Sequence, residues 1–407
     1  MEKSGFRVYG YRWVVLLAYM LVVAVNQLLW ITFAPITSSA VRYYGVSDLQ
    51  IGLLSMCFMI VYIIVSIPAS WAIDTKGIRV AVGIGAALTG VFGLLRGLLA
   101  SSYTSVLIAQ VGIAVGQPFI LNATTKVAAR WFPMQERATA AGLGSLAMYV
   151  GILLGLLLTP FLALSMGIPG VLLLYGAVAL VAAAAFFWLM RERPPTPPCP
   201  PEQEARSLVF DGLRQTLRKR DFLLVMAIFF VGLGTFNAVT TWIENIVAPR
   251  GFSSTQAGVV GGVMIVGGVA GALIIPSLSD RTRQRVPYVV LALTGALLGL
   301  MGVTFANSYW LLLLSSAALG FFLLSAGPVG FQYGAEVAYP APEGTATGLL
   351  LMMGQISGIA FILAMDSFKS PLTGSMTTSL VVLIALMAGS LVLATGLKES
   401  ALITAGP

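Results

Sequence analysis

The chain has 407 residues, of which 58% are hydrophobic and only 9% charged, whereas soluble domains carry roughly 25% charged residues. No aqueous fold could hide that much apolar chain, so a soluble enzyme or binding domain is excluded and the bilayer is the solvent. The net charge of +8 does not point to nucleic acid, because the basic residues sit in short loops between apolar runs.

A span needs about 20 predominantly apolar residues of helix. The basic stretch 1–12 precedes such a run, which lacks a small-residue cleavage signature and is read as a retained first helix. Apolar runs predict helices over about 13–36, 49–73, 80–100, 103–128, 138–164 and 167–190. A hydrophilic segment follows, with Arg191, Glu192 and Arg193, then Pro194, Pro195, Pro197, Pro198, Pro200 and Pro201. It continues into an amphipathic stretch with Leu208, Phe210, Leu213 and Leu217. Proline stiffens the first part, and the second suits a membrane interface. Further runs over about 222–247, 255–278, 288–306, 309–337, 345–366 and 374–395 complete the chain.

The expected fold is an all-α membrane protein of twelve transmembrane helices in two six-helix bundles, 1–190 and 221–407, joined by a cytoplasmic linker over 191–220. Loop charge orients it, because positive loops stay on the cytoplasmic side. With the N-terminus inside, the inner set holds Lys3, Arg7, Arg12, Lys76, Arg79, Lys126, Arg130, Arg137, the linker basics, Arg281, Arg283, Arg285 and Lys398, and only Arg42, Arg96, Arg250 and Lys369 fall outside. Both termini are therefore expected in the cytoplasm, in a prokaryotic inner membrane or a plasma membrane.

The halves repeat. Ser47, Gln50, Gly52 and Asp74 recur as Ser253, Gln256, Gly258 and Asp280 at one constant offset, and Pro133 with Glu136 recurs as Pro340 with Glu343 at nearly the same offset. The shared S-x-x-Q is a helix-start signature, and recurrence in register indicates parallel repeats of the transporter kind. Each Asp opens a charged turn. SWAIDTKGIR carries Asp74, Lys76, Gly77 and Arg79; SLSDRTRQR carries Asp280, Arg281 and Arg283. Such groups can pair with one another and with a helix N-terminus to lock one conformation, or serve only as topology-setting charge.

The turn, its flanking helices and the repeat resemble the major facilitator superfamily over the whole chain. Within it, WAIDTKGIRV, VGQPFIL, ARWF and GPVGFQYGAEVAYPAPEGTATGLL are similar to the solute carrier family 49 group, the feline leukaemia virus subgroup C receptor relatives. The resemblance implies choline, ethanolamine or related solutes as candidates, with haem also proposed for the group. It implies that Trp30 matches a cavity tryptophan of the first helix and Gln355 a glutamine of the eleventh. Tyr149 stands where the group tends to have glutamine and Asn237 where it has tyrosine, so the cage is altered there.

Polar residues near helix midpoints are expensive unless they face a cavity or a partner. Those midpoints hold Asn26, Gln27, Gln117, Asn122, Tyr149, Asn237, Thr241 and Gln355, with Trp30, Phe33, Phe236 and Trp242 close by. An aromatic-lined cavity with neutral hydrogen-bonding groups suits an organic cation, through cation–π attraction of about 0.5 to 2 kcal/mol per contact, better than a bare metal ion. For any single residue, interhelical hydrogen bonding is the competing account. Candidates for coupling are Glu244 first, then Glu336, Asp366 and Arg96. Glu244, Arg96 and Asp366 fall near predicted outer ends, where snorkelling or pairing competes; Glu336 falls near an inner end.

The glycine pairs Gly151 with Gly155, Gly258 with Gly262 and Gly267 with Gly271 permit close backbone approach, for sliding or for static packing. Cys57 and Cys199 give no disulfide framework, and the absence of histidine removes His ligands for metal or haem. No metal site, cofactor or enzyme is expected, and no GxxxxGK[ST] loop supports ATP-driven transport. The expected protein is a monomeric secondary transporter, uniporter or symporter, of a small choline-like solute. It would work by alternating access around a midplane cavity enclosed by the two bundles. Alternatives are an efflux carrier for amphipathic compounds or organic anions, and a non-transporting receptor or sensor.

Overall fold

The computed structural model describes residues 7–196, 198, 216–339, 341 and 343–400. Pro197, Cys199, Pro200, Pro201, the amphipathic stretch through Leu208, Phe210 and Leu213, and Pro340 lie outside them. Among the described residues there is no strand, and eleven helical segments are long and apolar enough to cross a membrane. Contacts divide the chain into two compact units, Met1–Arg206 and Ser207–Pro407.

Unit 1 comprises α1 (Arg12–Ile31), α2 (Thr37–Tyr44), α3 (Asp48–Lys76), α4 (Ile78–Leu98), α5 (Tyr103–Leu121), α6 (Thr124–Trp131) and α7 (Met134–Leu189). The first predicted helix stops short because Pro35, in a 3-10 turn over Ala34–Ile36, has no N–H for the carbonyl four residues back. Nearby carbonyls turn to side chains: Thr32 Oγ1 donates to Leu28 O at 2.9 Å and Thr37 Oγ1 to Phe33 O at 3.2 Å. The fourth predicted helix is interrupted at Asn122 and Ala123, a turn beyond Pro118. The fifth and sixth meet without a loop. They form the 56-residue α7, broken at Gly167 with φ 69° and ψ 173°, a backbone region that essentially only glycine adopts.

Unit 2 comprises α8 (Arg220–Thr241), α9 (Ile243–Val247), α10 (Ser254–Thr282), α11 (Val286–Phe305), α12 (Tyr309–Ala338), α13 (Glu343–Ser367) and α14 (Thr377–Thr395). Its packing repeats that of unit 1. There α1 packs on α7, α4 on α5 and α7, and α3 on α5; here α8 packs on α13, α11 on α12 and α14, and α10 on α12.

The repeat holds at the level of single bonds. At both S-x-x-Q sites the serine Oγ accepts from the glutamine N–H at 3.2 Å and the glutamine Oε1 accepts from the serine N–H at 2.9 Å. These are capping boxes opening α3 and α10. Tyr103 donates to Gln50 O at 2.6 Å, and Tyr309 to Gln256 O at 3.5 Å. Elsewhere the acceptor is kept while the donor changes: Tyr44 donates to Ala100 O at 2.9 Å, and Arg250 to Ala306 O at 3.2 Å and Val303 O at 2.7 Å. Burial holds the Arg250 guanidinium below its ordinary pKa, while the carbonyls ending α11 offer it a partial negative charge.

Glycine sets the closest seams. A Cβ on Gly151 of α7 would strike the Ala24 backbone of α1, one on Gly271 of α10 the Phe321 backbone of α12, and one on Gly320 of α12 the Met264 backbone of α10. Backbones this close gain dispersion contact where burial from water supplies no drive. Outward faces carry Leu17, Ile64, Leu164, Val181, Leu314 and Val392, all exposed, as lipid-facing helices require.

Candidate functional site

In unit 1 several of the mid-helix polar residues are hydrogen-bonded in separate small groups. Asn26 Nδ2 donates to Thr89 Oγ1 of α4 at 3.1 Å, and Gln27 Nε2 donates to Asn26 Oδ1 at 3.3 Å. Both side chains are buried. Trp30 Nε1 donates to Ser55 O of α3 at 3.1 Å. Asn122 is fully engaged: its Oδ1 accepts from Tyr62 at 2.7 Å, and its Nδ2 donates to Ser66 Oγ at 3.0 Å and Ser70 Oγ at 3.1 Å. In unit 2, Asn237 Nδ2 donates to Gly354 O at 3.1 Å, beside Gln355 on α13, and Trp242 Nε1 donates to Ile362 O at 3.2 Å. By contrast Gln117, Tyr149, Thr241 and Gln355 make no side-chain hydrogen bond among the described residues, and the Thr241 hydroxyl is buried.

Arg96 does not snorkel. It is fully buried on α4, with Nη1 donating to Leu29 O at 3.0 Å and Gln110 Oε1 at 2.7 Å, Nη2 reaching Thr32 Oγ1 at 3.5 Å, and the guanidinium 5.8 Å from the Phe33 ring centroid. Gln110 Nε2 also donates to Leu29 O at 3.3 Å. The cation thus caps the C-terminal carbonyls of α1, where the helix dipole is negative and Pro35 has interrupted the ladder. Glu244 is likewise buried and accepts from Ser254 Oγ, at the start of α10, at 2.7 Å. Glu336 lies against Arg285, with Nε to Oε1 at 3.3 Å. Asp366 is half-buried near the end of α13, where its backbone oxygen accepts from Lys369 N at 3.1 Å.

The charged turns pair differently from the sequence expectation. Asp74 reaches Lys126 of α6 at 2.5 Å rather than Lys76 or Arg79, and Asp280 reaches Arg285 at 2.5 Å rather than Arg281 or Arg283. Arg283 is instead the left-handed residue ending α10, at φ 52°; its counterpart Gly77 ends α3 at φ 89° and ψ 172°. Each of these pairs lies within its own unit. A carboxylate from beyond the last helix of each unit caps the N-terminus that follows the turn. Glu192 accepts from Ile78 N at 3.2 Å and Arg79 N at 2.7 Å and pairs with Arg130. Glu399 accepts from Arg285 N at 3.0 Å and Val286 N at 2.9 Å. Negative charge at a helix N-terminus is stabilised by the dipole and by charge-assisted hydrogen bonds.

Sequence reasoning missed Lys126, Arg130, Glu192, Arg285 and Glu399 as parts of these clusters. Glu192 and Glu399 each follow the last apolar run of a half, so extending the repeat past the helices would have found them. Gln110 and Tyr62 satisfy the same mid-helix criterion as the residues that were singled out. Gly77→Ala tests the first cap: its backbone region excludes other residues and its Cβ would meet the Glu192 carboxylate. The expected cost is about 1–3 kcal/mol, read as a lower melting temperature of the purified protein; an unchanged melting temperature would refute the tie.

Two units with matching helix packing, apolar outer surfaces and buried polar clusters define a duplicated, multi-pass membrane protein. The family model of the Major Facilitator Superfamily matches residues 15–362. Solute carrier family 49 member A3 of Xenopus tropicalis is 31% identical over 397 residues, covering 92% of this chain and 81% of that protein. The choline/ethanolamine transporter flvcr2b of Danio rerio is 29% identical over 386 residues, covering 89% and 80%. The chain belongs to the Major Facilitator Superfamily and, within it, to solute carrier family 49. The crystal structure of a D-xylose-proton symporter shares the fold, with a TM-score of 0.75, 15% identity and coverage of 96% and 99%. These curated relatives are animal proteins, so the expectation of a prokaryotic inner membrane finds no support in them.

Proposed function

We propose that the chain is a secondary transporter of a small organic cation or amine of the choline or ethanolamine type, working by alternating access. The carrying observation is which polar groups the fold leaves unspent. Asn26, Asn122 and Asn237 give their amides to neighbouring helices and Gln27 gives its amide to Asn26 beside it, whereas Gln117 and Tyr149 of unit 1, and Thr241 and Gln355 of unit 2, make no side-chain hydrogen bond among the described residues. All four side chains are neutral. Neutral amides and hydroxyls beside aromatic faces suit an alcohol-bearing cation, bound by hydrogen bonds and cation–π attraction. The choline/ethanolamine transporters among the relatives favour the same class.

We count the two arms of α7 as separate crossings, giving twelve, and place both termini in the cytoplasm of a plasma-membrane protein from the loop charges. The protein is read as a monomer. The test is uptake of labelled choline and ethanolamine into proteoliposomes, with and without a pH or sodium gradient. Saturable uptake of either is expected; ligand-binding protein that moves neither solute would favour a receptor, and flux of organic anions instead would establish the efflux reading.

The turns are read as the gate. The Asp74–Lys126 pair is half-exposed on its acidic side and such pairs contribute only about 0–1 kcal/mol, so Asp74→Asn should fold normally. Its transport rate should change by severalfold nonetheless. Wild-type kinetics in the folded variant would remove Asp74 from the mechanism.

A further inference from the structure

Where α4 begins and α7 ends, unit 1 carries a groove of ≈ 480 Å³ lined by Arg79, Val80, Gly83, Ile84, Ala87 and Phe187. Its wall is apolar and faces outward: Val80, Ile84 and Phe187 are all exposed. Gly83 forms the floor, and the Phe187 ring stands 3.0 Å from where a Cβ on it would lie.

One end of the groove is cationic. Arg79 and the nearby Lys76 are exposed, and no carboxylate pairs with the Arg79 side chain among the described residues. The adjacent acid, Glu192, is already engaged by Arg130 and by the N–H groups of Ile78 and Arg79. Trp188, which follows Phe187 and is 84% exposed, marks this end as the membrane–water interface, where amphipathic rings settle.

The second unit supplies an internal comparison. At the repeat offset, Arg285, Val289 and Leu293 stand where unit 1 has Arg79, Gly83 and Ala87. Val289 and Leu293 are buried, and Arg285 is held by Asp280 and Glu336. The fold therefore does not impose a groove or an available cation at this place. Small residues and an uncommitted arginine make one in unit 1.

We propose that this groove binds an anionic glycerophospholipid of the surrounding bilayer, with the phosphate on Arg79, assisted by Lys76, and one acyl chain along Val80, Ile84, Ala87 and Phe187. The guanidinium fork matches phosphate oxygens, and the chain buries apolar surface against the wall. Net headgroup charge decides the occupant, since a zwitterionic lipid would bring its own cation to a basic end. The proposal does not depend on which solute is carried.

The test is native mass spectrometry of the delipidated full chain titrated with phosphatidylserine and with phosphatidylcholine. Phosphatidylserine is expected to be retained about fivefold more strongly per engaged cation. Arg79→Gln should bring the two lipids close to parity, and Ala87→Phe, which fills the groove, should reduce retention of both. Equal retention of the two lipids by the wild-type protein, or a preference untouched by Arg79→Gln, would overturn the proposal. Should a variant not fold, phosphatidylserine with a photoreactive acyl chain decides it on the wild-type protein. Labelling of residues 80–87 and Phe187 upholds the site, and labelling elsewhere refutes it.

Discussion

Arg96→Glu is expected to abolish the folded protein. The guanidinium sits wholly inside unit 1 with Leu29 O, Gln110 Oε1 and Thr32 Oγ1 around it. A carboxylate there would meet the Leu29 and Gln110 oxygens with no cation to neutralise it, and a buried charge without compensation costs several kcal/mol. Arg96→Met separates charge from packing. It removes the desolvation cost along with the cation, and Gln110 still reaches Leu29 O. The remaining loss is the orphaned Gln110 oxygen, about 1–3 kcal/mol. Folded yield and melting temperature should therefore rank wild type, Met, then Glu, with Glu absent from the monodisperse peak. A well-folded Glu variant would mean that Arg96 is not the cap of α1. A guanidinium held by Leu29 O, Gln110 Oε1 and Thr32 Oγ1 also supports a positioning role for Arg96 over a coupling one.

Trp30→Ala is expected to lower cation affinity by about 2- to 30-fold, since a cation–π contact contributes about 0.5 to 2 kcal/mol. The same side chain ties α1 to α3 through Ser55 O, so a simple loss could come from either role. Trp30→Phe distinguishes them. It keeps a ring for the cation but deletes the N–H, which costs about 1 kcal/mol of stability. Choline titration of both purified variants, with melting curves alongside, gives the answer. Phe close to wild type in affinity but lower in stability upholds the ring as the recognition element. Phe and Ala equally weak would assign Trp30 to helix packing alone.

Much of the helical layout was legible in the sequence, because lipid imposes a single rule on every span: a run of apolar residues with all backbone groups satisfied within it. The capping boxes at Ser47 and Ser253 were legible for a local reason, since the partner lies three residues away. What could not be read were contacts whose partners are remote in the chain. Asp74 had cations two and five residues on, yet the structure gives it Lys126, because α6 returns beside the end of α3. Arg96 looked like an interfacial charge because hydropathy places residues by depth and not by which helix end they meet. Among the candidate binding residues, sequence marked polar groups but could not separate Asn122, spent on Tyr62, Ser66 and Ser70, from Gln117, which is not.

The break at Gly167 has a mechanical meaning. Spans are ordinarily joined by several residues whose torsions absorb relative tilt, whereas here one residue connects two long arms. The first arm lies against α1 through Gly151 and Ala24, and the second against α4 through Gly176 and Gly93. The relative tilt of the α1 and α4 seams is therefore set at the two dihedral angles of one glycine, the most permissive of residues, and α4 starts at the turn that Glu192 holds.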